Sequence, residues 1–83
     1  MKIDETKDEL RENIRKNLIE LRKKKGLSQL DIAELVDKKS SSVASWEQGI
    51  SLPDVTTLYR LSLYYNVLME YFYKNHNEDG DEE

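Results

Sequence analysis

The sequence lacks cysteine and has a single histidine, so the usual metal-binding and nucleophilic side chains are scarce. Without cysteine, neither a disulfide framework nor a thiolate metal site is available. The histidine, His76, lies next to a polar, acidic run, and no carboxylates are spaced as metal ligands. Serines without a neighbouring base are not nucleophiles. We therefore predict a protein that is not an enzyme and that needs no metal and no cofactor.

Long apolar runs are also missing. No stretch approaches the roughly 18 apolar residues that a bilayer-spanning helix requires. The first ten residues, MKIDETKDEL, are too highly charged for a secretory signal peptide. We expect a soluble, cytoplasmic protein without membrane contacts, and 83 residues suffice for one small domain.

The net charge of −4 argues at first against nucleic acid as a partner. The charge is unevenly distributed, however. Residues 1–12 carry three basic and five acidic side chains, and residues 77–83 carry five acidic ones. The stretch between them, residues 13–76, has ten basic and seven acidic residues, a net charge of +3. A mildly basic centre with acidic flanks is compatible with DNA binding.

Apolar spacing predicts an extended first helix from about Asp8 to Lys25. Leu10, Ile14, Leu18 and Leu21 recur at intervals of four, four and three residues, which places them on one helical face. We expect a flexible N-terminus at residues 1–7, a folded domain at 8–74, and a disordered acidic tail at 75–83, which has no apolar residue.

The segment GLSQLDIAELVDKKSSSVASWEQG reads as two short helices joined by a tight turn. Ser28 is a good N-cap for the first, and Asp31 completes a capping box with it. Asp37 stands at the turn, since Asp tolerates left-handed backbone. The second helix spans about Ser40–Gln48. The side chains predicted to face inward are Ile32, Leu35, Val36, Val43 and Trp46.

These residues resemble the helix-turn-helix of the phage Cro/repressor-like (Xre) family. The shared features are Gly-Leu-Ser-Gln, the small Ala33, the β-branched Val43 and Trp-Glu-x-Gly at 46–49. The resemblance continues without a gap from about Ile14 to Phe72. It implies an all-α, five-helix, lambda-repressor-like domain with its motif at 28–48. The implied function is double-stranded DNA binding by a transcriptional regulator, a dimeric repressor.

The same resemblance places two further helices after the motif. Asp54 is the expected N-cap of the first, and Asn66 stands at the family's left-handed glycine position. The last helix spans about Leu68–Lys74. Side chains expected to face inward are Val55, Leu58, Leu61, Ser62, Tyr65, Met69 and Phe72.

In the family, the second motif helix enters the major groove with its N-terminal residues against base edges. The matching positions here are Ser40, Ser41 and Ser45, with Gln29 from the first motif helix and Gln48 at the far end. Phosphate contacts are implied for the Ser28–Gln29 helix start and for Lys38 and Lys39. The basic run Arg22–Lys25 is either a further phosphate contact or a solvated helix end. The alternative for the serines is a solvated face without a role in binding.

This second motif helix departs from the family pattern. It contains no arginine or asparagine, the residues that with glutamine make most bidentate base contacts, so we expect weak direct readout. Lys38 replaces an apolar residue and Lys39 replaces a Ser or Thr cap, which leaves Ser40 to cap the helix.

Two further sets of residues follow from the resemblance. Arg22 and Glu47 match a family ion pair that clamps the first helix to the recognition helix; the alternative is two exposed, unrelated charges. Four side chains at positions that are usually polar are predicted as a dimer interface, or otherwise as extra core against Leu10 and Ile3: Leu63, Tyr64, Leu68 and Tyr71. A different class of function is a protein-interaction module, such as the antitoxin of a toxin–antitoxin pair, holding a protein partner by this surface or the acidic tail.

Overall fold

A computed structural model describes residues 7–76, and all regular secondary structure in that range is helical. Four α-helices follow one another: α1 (Lys7–Lys24), α2 (Gln29–Leu35), α3 (Ser40–Glu47) and α4 (Val55–Tyr65). A 3-10 helix at Met69–Tyr73 stands where a fifth α-helix was expected. The all-α class is confirmed, and the predicted helix count is one too high.

The helix boundaries follow local capping chemistry. The Ser28 hydroxyl accepts from the Asp31 amide at 3.0 Å, and the Asp31 carboxylate accepts from the Ser28 amide at 2.9 Å, which is the predicted capping box. Asp54 caps α4 by accepting from the Thr57 amide at 2.8 Å. Asp37 and Asn66 adopt left-handed backbone, with φ of 59° and 60°, and so end α2 and α4 as predicted.

The start of α3 differs from the expectation. Lys39, not Ser40, occupies the N-cap position, and no side chain caps the helix. Ser40 is already the first helical residue, because Ser42 and Val43 both donate their amides to the Lys39 carbonyl. The first turn of α3 is therefore left without an internal acceptor for its free amides.

One apolar core connects the four α-helices and the 3-10 helix. It is built mainly from predicted positions: Ile14, Leu18, Leu21, Ile32, Ala33, Val36, Val43, Trp46, Leu58, Leu61, Tyr65 and Phe72. Two predictions of inward side chains are wrong. Val55, in the first turn of α4, is 68% exposed, and Leu35, in the last turn of α2, is 45% exposed.

The last segment is a 3-10 helix because its amides bond three residues back, as from Tyr71 to the Leu68 carbonyl at 2.9 Å, and side chains of α1 hold its end in place. The Asn17 amide donates to the carbonyls of Tyr71, Phe72 and Lys74 at 2.9–3.0 Å. Asn13 likewise donates to the Tyr73 carbonyl at 3.0 Å. These bonds tie the end of the segment to α1, and the fully buried Phe72 anchors it in the core.

The predicted boundaries of the domain need small corrections. Lys7, placed in the flexible N-terminus, begins α1. His76, placed in the disordered tail, stacks on the Tyr71 ring with centroids 3.8 Å apart. Asn75 and His76 both line a shallow cavity against α1. The rest of the predicted flexible segments, residues 1–6 and 77–83, lies outside the described residues, as does the suggested packing of Ile3. Among residues 7–76, no helix is long and apolar enough to cross a membrane.

Candidate nucleic-acid interface

The turn between α2 and α3 sets the angle at which α3 is presented. The Lys38 amide donates to the Ala33 carbonyl at 2.8 Å, closing the left-handed turn at Asp37. Ala33 is only 1% exposed, and its small side chain allows α3 to cross α2 closely. Two short helices thus meet as one rigid unit, with the first turn of α3 directed outward.

A charged network fixes the other end of α3 against α1 and α2. Arg22 makes a bidentate pair with Glu47, with N–O distances of 2.7 and 3.0 Å, and donates to the Leu27 carbonyl at 2.9 Å. The side chains are only 15% and 7% exposed. The hydrogen bonds that Arg22 donates to Glu47 raise the pKa of the guanidinium, so Arg22 stays charged at physiological pH. The predicted pair is therefore a partly buried clamp.

The same network includes a residue that was predicted to contact DNA directly. Gln29 donates its side-chain amide to Glu47 at 2.9 Å. One of its two amide N–H groups is committed to the clamp, while the other N–H and the carbonyl oxygen keep their bonding capacity. Local sequence patterns do not reveal this bond, because the two residues lie 18 positions apart.

The first turn of α3 presents three consecutive exposed side chains, Lys39, Ser40 and Ser41. Because this helix end has no side-chain cap, its amides and positive dipole end face outward with them. Ser28 is exposed at the corresponding end of α2, although its hydroxyl is used in the capping box. The arrangement combines a lysine, two hydroxyls and free backbone donors, all groups that bind phosphate or base edges.

Ser45 does not share this exposure. Ser45 is half-buried and its hydroxyl lies 2.7 Å from the Ser51 hydroxyl, so it is less available to a base edge than Ser40 and Ser41. Its carbonyl accepts from the Ile50 amide at 3.0 Å, which ties α3 to the loop that follows. Gln48, at the far end of α3, is exposed.

Lys38 has a neighbour of opposite charge. Its ammonium lies 3.6 Å from the Asp54 carboxylate, with both side chains largely exposed. Exposed pairs of this kind contribute little stability, so a phosphate group could displace Asp54 at small cost. Hydrogen bonding from Thr57 and the Lys38 charge hold the pKa of Asp54 below its usual range.

The four residues predicted as a dimer interface divide into two pairs. Leu63 and Leu68 are 63% and 72% exposed. Tyr64 instead packs edge-on against Tyr65 and lies beneath the Lys25 ammonium, 4.9 Å from the ring centroid. Tyr71 is half-buried against the core and stacked on by His76. Both tyrosines thus have partners within their own chain, which the sequence pattern did not reveal.

Two features of the α1 surface escaped the sequence reasoning. Arg11 donates to the Ile50 carbonyl at 3.1 Å, which holds the loop after α3. Asn13 and Asn17 hold the segment after α4, as described above. Within residues 7–76, no three His, Asp or Glu side chains are grouped as metal ligands.

Comparisons with known proteins agree with this geometry. A family model described as helix-turn-helix matches residues 18–72, most of the chain. The structure resembles the crystal structure of the hypothetical transcription factor NHTF from Neisseria, with a TM-score of 0.78 and 19% identity over 100% of this chain and 98% of that one. No curated protein matches the sequence. The chain belongs to the helix-turn-helix family of Xre-like transcriptional regulators, which bind DNA.

Proposed function

We propose that the protein is a transcriptional repressor that binds double-stranded DNA as a homodimer, with α3 in the major groove. The observation that carries this proposal is the uncapped, exposed first turn of α3, held rigidly by the Arg22–Glu47–Gln29 network. In helix-turn-helix proteins, this end of the second motif helix contacts bases.

Phosphate contacts dominate affinity in this proposal. Only Ser40 and Ser41 face the groove with hydroxyls, since Ser45 is bonded to Ser51. A hydroxyl both donates and accepts, so it discriminates among bases less than the bidentate side chains do. The phosphate contacts come from Lys38 and Lys39, from Lys23 and Lys24 at the end of α1, and from the amides at the starts of α2 and α3. Specificity is therefore modest, and affinity falls steeply with salt.

The experiment is a salt titration of fluorescence anisotropy on the DNA upstream of the gene and on scrambled DNA. Lys39→Ala weakens binding to both DNAs and reduces the log–log salt slope by about 0.9, one released counterion. Ser41→Ala leaves the salt slope unchanged and slightly reduces the difference in affinity between the upstream and the scrambled DNA. Lys7→Ala is the charge-matched control, because Lys7 is exposed at the start of α1, the end away from the motif. It should change neither the affinity nor the salt slope.

Two outcomes contradict the proposal. If Ser41→Ala abolishes discrimination while Lys39→Ala has no effect, base and phosphate roles are reversed. If no DNA binds at low salt, the protein-interaction function, such as that of an antitoxin, is favoured instead.

The dimer rests on an apolar stripe along α4. Val55, Tyr59 and Leu63 follow one another at four-residue spacing and are all more than half exposed, as is Leu68 beyond the helix end. Exposed apolar side chains that follow one another in this way are typical of protein–protein contact surfaces. The interface we propose thus follows α4, with Tyr64 at its edge and Tyr71 outside it.

Sedimentation velocity at micromolar concentration tests the dimer. We expect a dimer for the wild type and a monomer for Leu63→Glu. Leu30→Glu is the matched control, because it places the same charge on an exposed leucine of α2, away from the stripe. A monomeric wild type, or equal effects of the two substitutions, contradicts the proposed interface.

A further inference from the structure

A row of polar side chains runs along one face of α1. Its members are spaced by three or four residues, so they lie above one another on the helix: Asn13, Lys16, Asn17, Glu20, Lys23 and Lys24. The first four line a shallow cavity together with Lys74, Asn75 and His76. The last described residues therefore lie on the middle of this row.

The position of His76 is well fixed by contacts. Its ring stacks on Tyr71, and its Nε2 lies 2.8 Å from the Tyr71 carbonyl. Two residues earlier, the Lys74 carbonyl accepts from buried Asn17 at 2.9 Å. The described part of the chain therefore ends beside α1, close to Glu20.

The far end of the row is basic and has no acidic partner in the described part of the chain. Lys23 and Lys24 are exposed, and no carboxylate among residues 7–76 approaches either within ion-pair distance. Lys16, nearer the middle of the row, forms an ion pair with Glu12, with 3.7 Å between its ammonium and the carboxylate. Glu20 lies in the same row and opposes an incoming acidic segment, but the three lysines outnumber it.

Residues 77–83, NEDGDEE, have the complementary charge. They contain five carboxylates and no basic side chain. Seven extended residues span up to about 25 Å. The distance along α1 from Glu20 to Lys24 is only about 6 Å. The segment is therefore long enough to place several carboxylates beside Lys23 and Lys24.

We propose that residues 77–83 bind along the Lys23–Lys24 end of α1 and compete there with DNA phosphates. This end of α1 leads directly into the motif, because the Leu27 amide donates to the Arg22 carbonyl at 3.1 Å. The contact is electrostatic and is screened by salt, since charges interact over about 10 Å at 0.1 M ionic strength. The competition with DNA rests on the proposed DNA-binding function, whereas the contact between the tail and α1 does not depend on it.

The contact is tested without DNA by comparing amide NMR spectra of the full chain and a tail-neutralised variant of the same length. That variant carries Glu78→Gln, Asp79→Asn, Asp81→Asn, Glu82→Gln and Glu83→Gln. At low salt we expect the amide signals of Lys23 and Lys24 to shift and that of Lys7 to stay unchanged. In the converse experiment, Lys23→Gln with Lys24→Gln shifts the signals of residues 77–83, and Lys7→Gln does not. Unchanged signals at Lys23 and Lys24 overturn the proposal, whether or not DNA binds.

The competition is tested by anisotropy with duplex DNA at 50 mM and 300 mM salt. We expect the tail-neutralised variant to bind about three- to tenfold more tightly at the lower salt, as for a tail that occupies the site roughly two-thirds to nine-tenths of the time. The difference shrinks at the higher salt. Equal affinities at low salt overturn the competition. Failure of both proteins to bind DNA contradicts the proposed function and also the competition, while the NMR comparison still decides whether the tail binds α1.

Discussion

Removing only Arg22 from the Arg22–Glu47 pair should strongly destabilise the protein, because it leaves the charge of Glu47 buried without its partner. Arg22→Ala removes both short hydrogen bonds to Glu47 and leaves that carboxylate, 7% exposed, with the Gln29 amide as its remaining partner. Removing one partner of a buried pair costs roughly 3–5 kcal/mol. The whole stability of a small domain is only about 5 kcal/mol at the low end. We therefore expect Arg22→Ala to be largely unfolded at 37 °C.

The assay is urea denaturation followed by circular dichroism and by the fluorescence of Trp46, the single tryptophan, which is buried in the core. Glu12→Ala is the matched control. Glu12 also pairs with an arginine, Arg15, at 2.7 Å, but those side chains are 47% and 30% exposed. We expect no resolvable loss from Glu12→Ala because solvent screens exposed pairs.

Replacing both partners separates the charge from the packing. Arg22→Met with Glu47→Leu leaves no unpaired buried charge, so we expect it to recover much of the stability that Arg22→Ala loses. If Arg22→Ala is as stable as Glu12→Ala, burial of the pair does not set its contribution to stability. If the double variant is less stable than Arg22→Ala, the unpaired charge of Glu47 is not the cause of the loss.

Three further predictions concern caps and ionisation. Ser28→Ala removes the hydroxyl that caps α2 and should cost about 1 kcal/mol, measured as a fall in Tm of roughly 4–8 °C. Hydrogen bonding from Thr57 lowers the pKa of Asp54 below the ordinary 3.8. Its contribution to stability is therefore present above pH 3.8 and lost as the pH falls further, and Asp54→Asn should reduce this acid sensitivity in thermal melts. Burial raises the pKa of Tyr65 to about 12. Its contribution is complete below pH 10 and lost as the pH rises towards 12, so Tyr65→Phe should flatten the alkaline limb of the Tm profile.

Features that depend on neighbouring residues were predictable from the sequence. The capping box at Ser28, the cap at Asp54 and the left-handed residues Asp37 and Asn66 each arise from interactions within a few positions. The core stripe of α1 likewise follows from helical periodicity alone.

Features that depend on distant packing were not predictable in this way. Asn17 holds carbonyls 54–57 positions away, at the end of a segment that is a 3-10 helix and not the expected α-helix. Ser45 bonds to Ser51 only because the loop after α3 folds back on it. Val55 has the spacing of a core residue, yet it is 68% exposed while Thr57 and Leu58 in the same turn are buried. For Asn17 and Ser45, the deciding partner belongs to a segment whose position the local pattern does not specify.

The most direct test of the DNA-binding surface is an NMR titration of the labelled full chain with a 20-base-pair duplex from the region upstream of its gene. We expect the largest amide shifts at Ser28 and across Lys39–Ser41, at the exposed starts of α2 and α3. The signals of Tyr59 and Leu63, on the α4 stripe, should not respond beyond the uniform broadening of a larger complex. Largest shifts on α4, with Lys39–Ser41 unaffected, would contradict the assignment of α3 as the helix that contacts DNA.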